Sequence, residues 1–103
     1  FTYIDDLIDG IISVVENKAA LNETFNLTYG EARTIAEMAN ILKSNFPNIN
    51  INYKSKDRLT PDRGTLSVEK AKKLIGYSPK YPIEIGYPKY IDWYRNFWKD
   101  LSR

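Results

Sequence analysis

The chain has 103 residues, with 15 basic and 13 acidic side chains and neither cysteine nor histidine. That length allows one domain with one modest core, not a complete two-domain enzyme; the missing residue types exclude disulfides, thiolate zinc sites and a cysteine nucleophile, and remove the commonest general base. A net charge of +2 and the lack of any apolar run near the ~20 residues of a membrane span point to neither nucleic acid nor membrane as partner, and the absence of cysteine fits a cytoplasmic compartment.

Phe1-Thr2-Tyr3-Ile4 opens the chain with aromatic and β-branched residues, which read as a short strand. No basic-then-apolar leader stands there, so no signal peptide is expected. No initiator methionine stands there either, and the expectation is a piece of a longer protein. Asp5 or Asp6 then offers an N-cap oxygen. Leu7, Ile8, Ile11, Ile12 and Val15 follow at helical spacing, which predicts a helix over 6–16 with one apolar stripe.

Phe25-Asn26-Leu27-Thr28 alternates apolar and polar and predicts a half-buried strand, closed by a turn at Tyr29-Gly30. Thr34-Ile35-Ala36-Glu37 matches a capping box. Ile35, Met38, Ala39, Leu42 and Phe46 line one face of the helix it starts, and Pro47 stops that helix. Ile49, Ile51 and Tyr53 alternate with polar residues and predict a third short strand. Residues 54–64 form a charged, irregular loop. Ser67 is expected to cap a helix carrying Val68, Ala71, Leu74 and Ile75, with Gly76 as its left-handed stop. The last helix is expected to start near Pro88, since proline suits a first turn. It is aromatic: Tyr87, Tyr90, Tyr94, Phe97 and Trp98 recur at helical spacing with Ile91 and Leu101, a pattern that reads as core.

There is no G-x-G-x-x-G, P-loop, H-E-x-x-H or G-x-S-x-G. Adjacent Asp5 and Asp6 point apart and make a poor catalytic pair. The loop 54–64 is the best functional candidate. It offers Arg58 and Arg63 with Gly64; arginine gives a phosphate two parallel donors, and glycine lets backbone approach a ligand. Asp57 and Asp62 offset part of its charge.

Three segments resemble one family in order. Phe1-Thr2-Tyr3-Ile4-Asp5-Asp6-Leu7-Ile8-Asp9-Gly10 is similar to an F-x-Y-V-x-D segment of the extended short-chain dehydrogenase/reductases, the NAD-dependent nucleotide-sugar epimerases and dehydratases. Phe25-Asn26-Leu27-Thr28-Tyr29-Gly30 with Thr34 to Glu37 resembles their Y-N-I/L-G-x-G and S/T-x-x-E. Arg63 to Pro79 resembles their segment around D-x-S-K-A and L-G-W/Y-x-P, and Glu84-Ile85-Gly86 with Ile91-Asp92-Trp93-Tyr94 resembles their ending. Thr28, Ser67 and Pro88 depart from the family pattern.

The resemblance covers the last third of such proteins. It implies an α/β substrate-binding subdomain, residues 1–103, with about four helices and two to three short strands. The NAD(P)-binding Rossmann domain and the Y-x-x-x-K would lie in the parent, so this chain alone holds no catalytic, cofactor-binding or metal-binding residue. The implied partners are a nucleotide-diphosphate sugar and the parent's Rossmann domain, in a parent expected to be a homodimer. The family's phosphate-binding arginine falls on Arg63, with Arg58 second. Asp6 matches a helix-capping acid and Asn26 a turn-forming asparagine. The alternative is a stand-alone binding or interaction module using loop 54–64 and the aromatic C-terminal helix.

Overall fold

Four helices and one 3-10 turn make up the architecture of the computed structural model, which describes residues 1–101. Ser102 and Arg103, where the expected unit 1–103 ends, and the side chain of Leu101 lie outside the described residues. Helix α1 spans Ile4–Glu16, the 3-10 turn Lys18–Ala20, α2 Ile35–Asn45, α3 Glu69–Ile75 and α4 Ile83–Leu101.

The expected α/β class is wrong: no strand is present among the described residues. Alternating sequence makes a strand only where a second extended segment pairs with its backbone. Residues 25–28 and 49–53 are not assigned to a strand. Phe25 and Leu27 pack against the core. Ile49 and Ile51 are half-buried while Tyr53 is exposed. Residues 1–3 run directly into α1.

The helix signals held in part. Thr34 Oγ1 accepts from the Glu37 N–H at 3.1 Å and the Glu37 carboxylate accepts from the Thr34 N–H at 2.6 Å, so the capping box opens α2 as predicted. Gly76 closes α3 at φ 66°, ψ 24°. Three boundaries differ. Helix α1 starts two residues early, behind Tyr3, with no side-chain cap. Helix α3 starts behind Val68, and Ser67 Oγ only reaches the Glu69 N–H at 3.4 Å. Helix α4 starts at Ile83, which leaves Pro88 inside it. Pro88 has no N–H for the Glu84 carbonyl, but its neighbours on both sides are tied by packing: Ile83 and Ile91 are buried.

The core is small. Ala20, Val68, Ala71, Ile75 and Tyr77 are buried together, with Val14, Phe25 and Leu27 against them. Gly10 of α1 admits this packing, since a Cβ there would sit 3.0 Å from the Tyr77 ring and 3.1 Å from Leu27. Helix α4 packs on α2. Arg95 joins them: its guanidinium lies 4.5 Å from the Phe46 ring centre and donates to the Asn45 carbonyl at 2.5 Å, at the C-terminal end of α2.

The molecule is a slab of 49 × 43 × 20 Å with a radius of gyration of 17.1 Å, against about 13 Å for a compact domain of this length. Large apolar faces therefore stay uncovered. Ile4, Ile8, Ile11, Ile12 and Val15 of α1 are exposed. The aromatic stripe of α4 is not core as expected: Tyr90, Trp93, Tyr94, Phe97 and Trp98 are 44–56% exposed and contact one another ring to ring. Helical spacing places side chains on one face, but a core also needs an opposing element, and α2 reaches only part of α4. No helix among the described residues is long and apolar enough to cross a membrane.

Candidate functional site

Two irregular segments, 26–33 and 63–68, lie side by side in front of the core. Polar ties set them there. Asn26 Nδ2 donates to the Ser67 carbonyl at 3.3 Å, and the Tyr77 hydroxyl donates to the Thr28 carbonyl at 2.8 Å. Burial and the nearby Asp6 charge raise the Tyr77 pKa, so the hydroxyl keeps its proton and remains a donor. Gly30 adopts φ +88°, a conformation that costs other residues, and Val68 fits against it: a Cβ at Gly30 would lie 2.8 Å from Val68 Cγ2. Thr28 Oγ1 accepts from the Gly30 N–H at 3.2 Å and tightens the same turn. Asn26 thus has a structural role, as a tie over 41 positions rather than as a turn former.

Between these segments lies a cavity of about 260 Å³. Phe1, Thr28, Glu31, Arg33, Arg63 and Thr65 are among its walls. Arg63 is exposed, and it forms no ion pair among the described residues. Its sequence neighbour Asp62 pairs with Lys56 instead. Arg58 is elsewhere: it sits in the exposed turn at 57–60, which Asp57 holds by accepting from the Leu59 N–H at 2.9 Å. The structure therefore does not bring Arg58 and Arg63 together on one cavity.

Arg33, which the sequence did not single out, shares the cavity with Arg63. Each guanidinium nitrogen has a partner, two held closely and one at a long contact. Nε meets Glu84 at 2.6 Å, Nη1 donates to the Ala32 carbonyl at 2.9 Å, and Nη2 lies 3.4 Å from Glu31. Glu84 stands in the first turn of α4, so this pair ties the cavity wall to that helix. The hydrogen bond that Arg33 donates to Glu84 raises the Arg33 pKa, and the same bond lowers that of Glu84. Nothing in the sequence marks Arg33 beyond its place before the capping box. Its partner is 51 positions away.

A second cavity, about 280 Å³, lies on the other side of Phe1. Tyr3, Met38, Tyr81, Gly86, Tyr87 and Tyr90 line it with Phe1. Phe1 thus lines both the arginine-bearing cavity and the aromatic one.

No family model matches the chain. Curated proteins do. Over 95 residues, 91% of the chain, it is 30% identical to UDP-glucuronic acid decarboxylase 1 of Danio rerio. Over 96 residues, 92% of the chain, it is 27% identical to UDP-glucuronic acid decarboxylase 2 of Arabidopsis thaliana and to UDP-glucuronic acid decarboxylase 1 of Xenopus tropicalis. The chain spans about a fifth of the length of these relatives, 21–22%. The family resemblance read from the motifs is correct: the chain is related to the extended short-chain dehydrogenase/reductases and is similar to a region of nucleotide-sugar enzymes.

Proposed function

From that relationship we infer that residues 1–103 are the carboxy-terminal, substrate-binding part of an NAD(P)-dependent enzyme acting on a nucleotide-diphosphate sugar. A decarboxylase of a UDP-sugar acid is the reading that its relatives' names favour. One observation carries the binding role. Parts of the two motif segments, Thr28 and Gly30 of 25–30 and Arg63 to Leu66 of 63–79, meet at this cavity, and Arg63 stands on its wall. A guanidinium there can grip a diphosphate through two parallel hydrogen bonds. Arg58 lies off this cavity, and the assignment now rests on Arg63.

In this reading a Rossmann region of the same protein supplies the cofactor site and the base. The exposed faces of α1 and α4 support a larger parent, because apolar surface of that extent is normally covered.

UDP titrated into the complete encoded protein tests the reading. Arg63→Lys is expected to weaken binding by about one to two orders of magnitude, the loss for a charged, bidentate contact. Arg58→Lys is expected to change little. If Arg63→Lys stays within about twofold of wild type, the phosphate role is wrong, since a surface cation without a ligand contributes little.

A further inference from the structure

The cavity at Arg63 holds a second cation and one carboxylate. Among its described lining residues Arg33 is the second cation and Glu31 the one acid. The three contacts of Arg33 are unequal. The Glu84 bond is short, at 2.6 Å, and the Ala32 bond is normal, at 2.9 Å. The Glu31 contact is long, at 3.4 Å, and is therefore weak. The exposures differ in the same sense: the Arg33 side chain is 25% exposed and the Glu31 side chain 66% exposed. Glu84 and the Ala32 carbonyl hold the guanidinium in place. Glu31, mostly exposed, meets the remaining nitrogen only at the long contact.

We propose that Arg33 is a second phosphate-gripping residue of this cavity, and that Glu31 is a built-in competitor which the ligand displaces from Arg33 Nη2. The proposal rests on the reading that the cavity takes a nucleotide diphosphate. A diphosphate carries two anionic groups. Arg63 and Arg33 give each group a guanidinium, and the Glu84 bond keeps Arg33 from following the ligand. The Glu31 carboxylate occupies an anion position at Arg33 Nη2, as a second and weaker partner beside Glu84. On binding, one carboxylate contact is exchanged for one phosphate contact, with no covalent step.

A merely structural Arg33–Glu31 pair predicts that removing either partner weakens or leaves binding unchanged. A competitor predicts the opposite sign for Glu31. UDP binding to the complete encoded protein, measured by titration calorimetry, reads this out. Glu31→Gln is expected to tighten binding about two- to fivefold, the scale of one exposed ion pair. Arg33→Gln is expected to weaken it about tenfold or more, as for a lost charged hydrogen bond. The gain from Glu31→Gln should shrink in the Arg33→Gln background, because the competition is for Arg33. Misfolding cannot mimic tighter binding, so the Glu31 arm stays decisive even if Arg33→Gln perturbs the fold. Unchanged or weaker binding by Glu31→Gln overturns the inference. Arg63→Lys, run beside it, separates the two levels. If Arg63→Lys weakens binding while Glu31→Gln does not tighten it, this inference alone fails. If wild type does not bind UDP, the reading of the cavity fails and this inference with it.

Discussion

The Asp6 carboxylate accepts the backbone N–H of Tyr81 at 2.9 Å, across 75 positions of sequence, and that of Lys80 at 2.8 Å with its other oxygen. Asp6 is 1% exposed, the most buried large side chain described. It therefore clamps the segment before α4 to α1, and the Tyr3 and Tyr81 rings meet beside it at 4.9 Å. Its expected role as the cap of its own helix is replaced by this long-range one.

Asp6→Ala is predicted to destabilise the chain by about 1–3 kcal/mol, because two part-buried N–H groups lose their charged acceptor. Asp6→Asn keeps one acceptor oxygen and should cost less. Urea denaturation of the three proteins checks the order. Equal midpoints would show that the clamp is not made in solution.

Acid should loosen two particular joints. The Thr34 N–H holds the Glu37 carboxyl below its usual range, and the Arg33 bond does the same for Glu84. A carboxylate with a lowered folded pKa stabilises above the ordinary carboxylate range of ~4–5 and stops doing so as pH falls through its folded pKa. Stability should therefore decline below about pH 4.5, with no such loss above it. Glu37→Gln and Glu84→Gln should each flatten the decline. At neutral pH, Thr34→Ala should cost about 1 kcal/mol through the lost cap. Chemical denaturation at a series of pH values reads all of these.

Gly30→Ala is predicted to cost about 1–3 kcal/mol. The residue sits at φ +88°, and the new methyl would meet Val68 Cγ2 at 2.8 Å. Thermal unfolding measures it. Val68→Ala should relieve part of the loss in the double variant, as a shared contact requires; simple additivity would refute the contact.

The 103-residue chain by itself is expected to self-associate. Ile8 and Ile12 of α1 are each 46% exposed and Trp93 of α4 is 56% exposed. Contiguous apolar surface of this kind drives association. Sedimentation velocity should show mass rising with concentration, and Ile8→Glu with Ile12→Glu should reduce the rise. A monomer at every concentration would contradict it.

Binding of NAD or NADP to the 103-residue chain is expected to be undetectable by calorimetry. Micromolar affinity would sink the proposed division of labour between this region and the rest of the protein.

Local signals were legible wherever the interaction itself is local. The capping box of Thr34 and Glu37, the left-handed Gly76 and the helical stripes depend on residues close together in the chain, and local chain geometry determines them. The motif order was equally readable, and it led to the right family. Tertiary structure decided the rest, because each remaining feature needs a partner far away in sequence. Whether 25–28 and 49–53 become strands depends on pairing with a second extended segment, and neither is assigned to a strand. Whether an apolar stripe becomes core depends on an opposing face, which α1 and α4 largely lack. Asp6 looked like a cap until Lys80 and Tyr81 stood over it. The motif ranked Arg63 ahead of Arg58 within one loop, but it is the folding of 63–68 against 26–33 that puts Arg63 on a cavity, and the distant Glu84 that helps set Arg33 beside it.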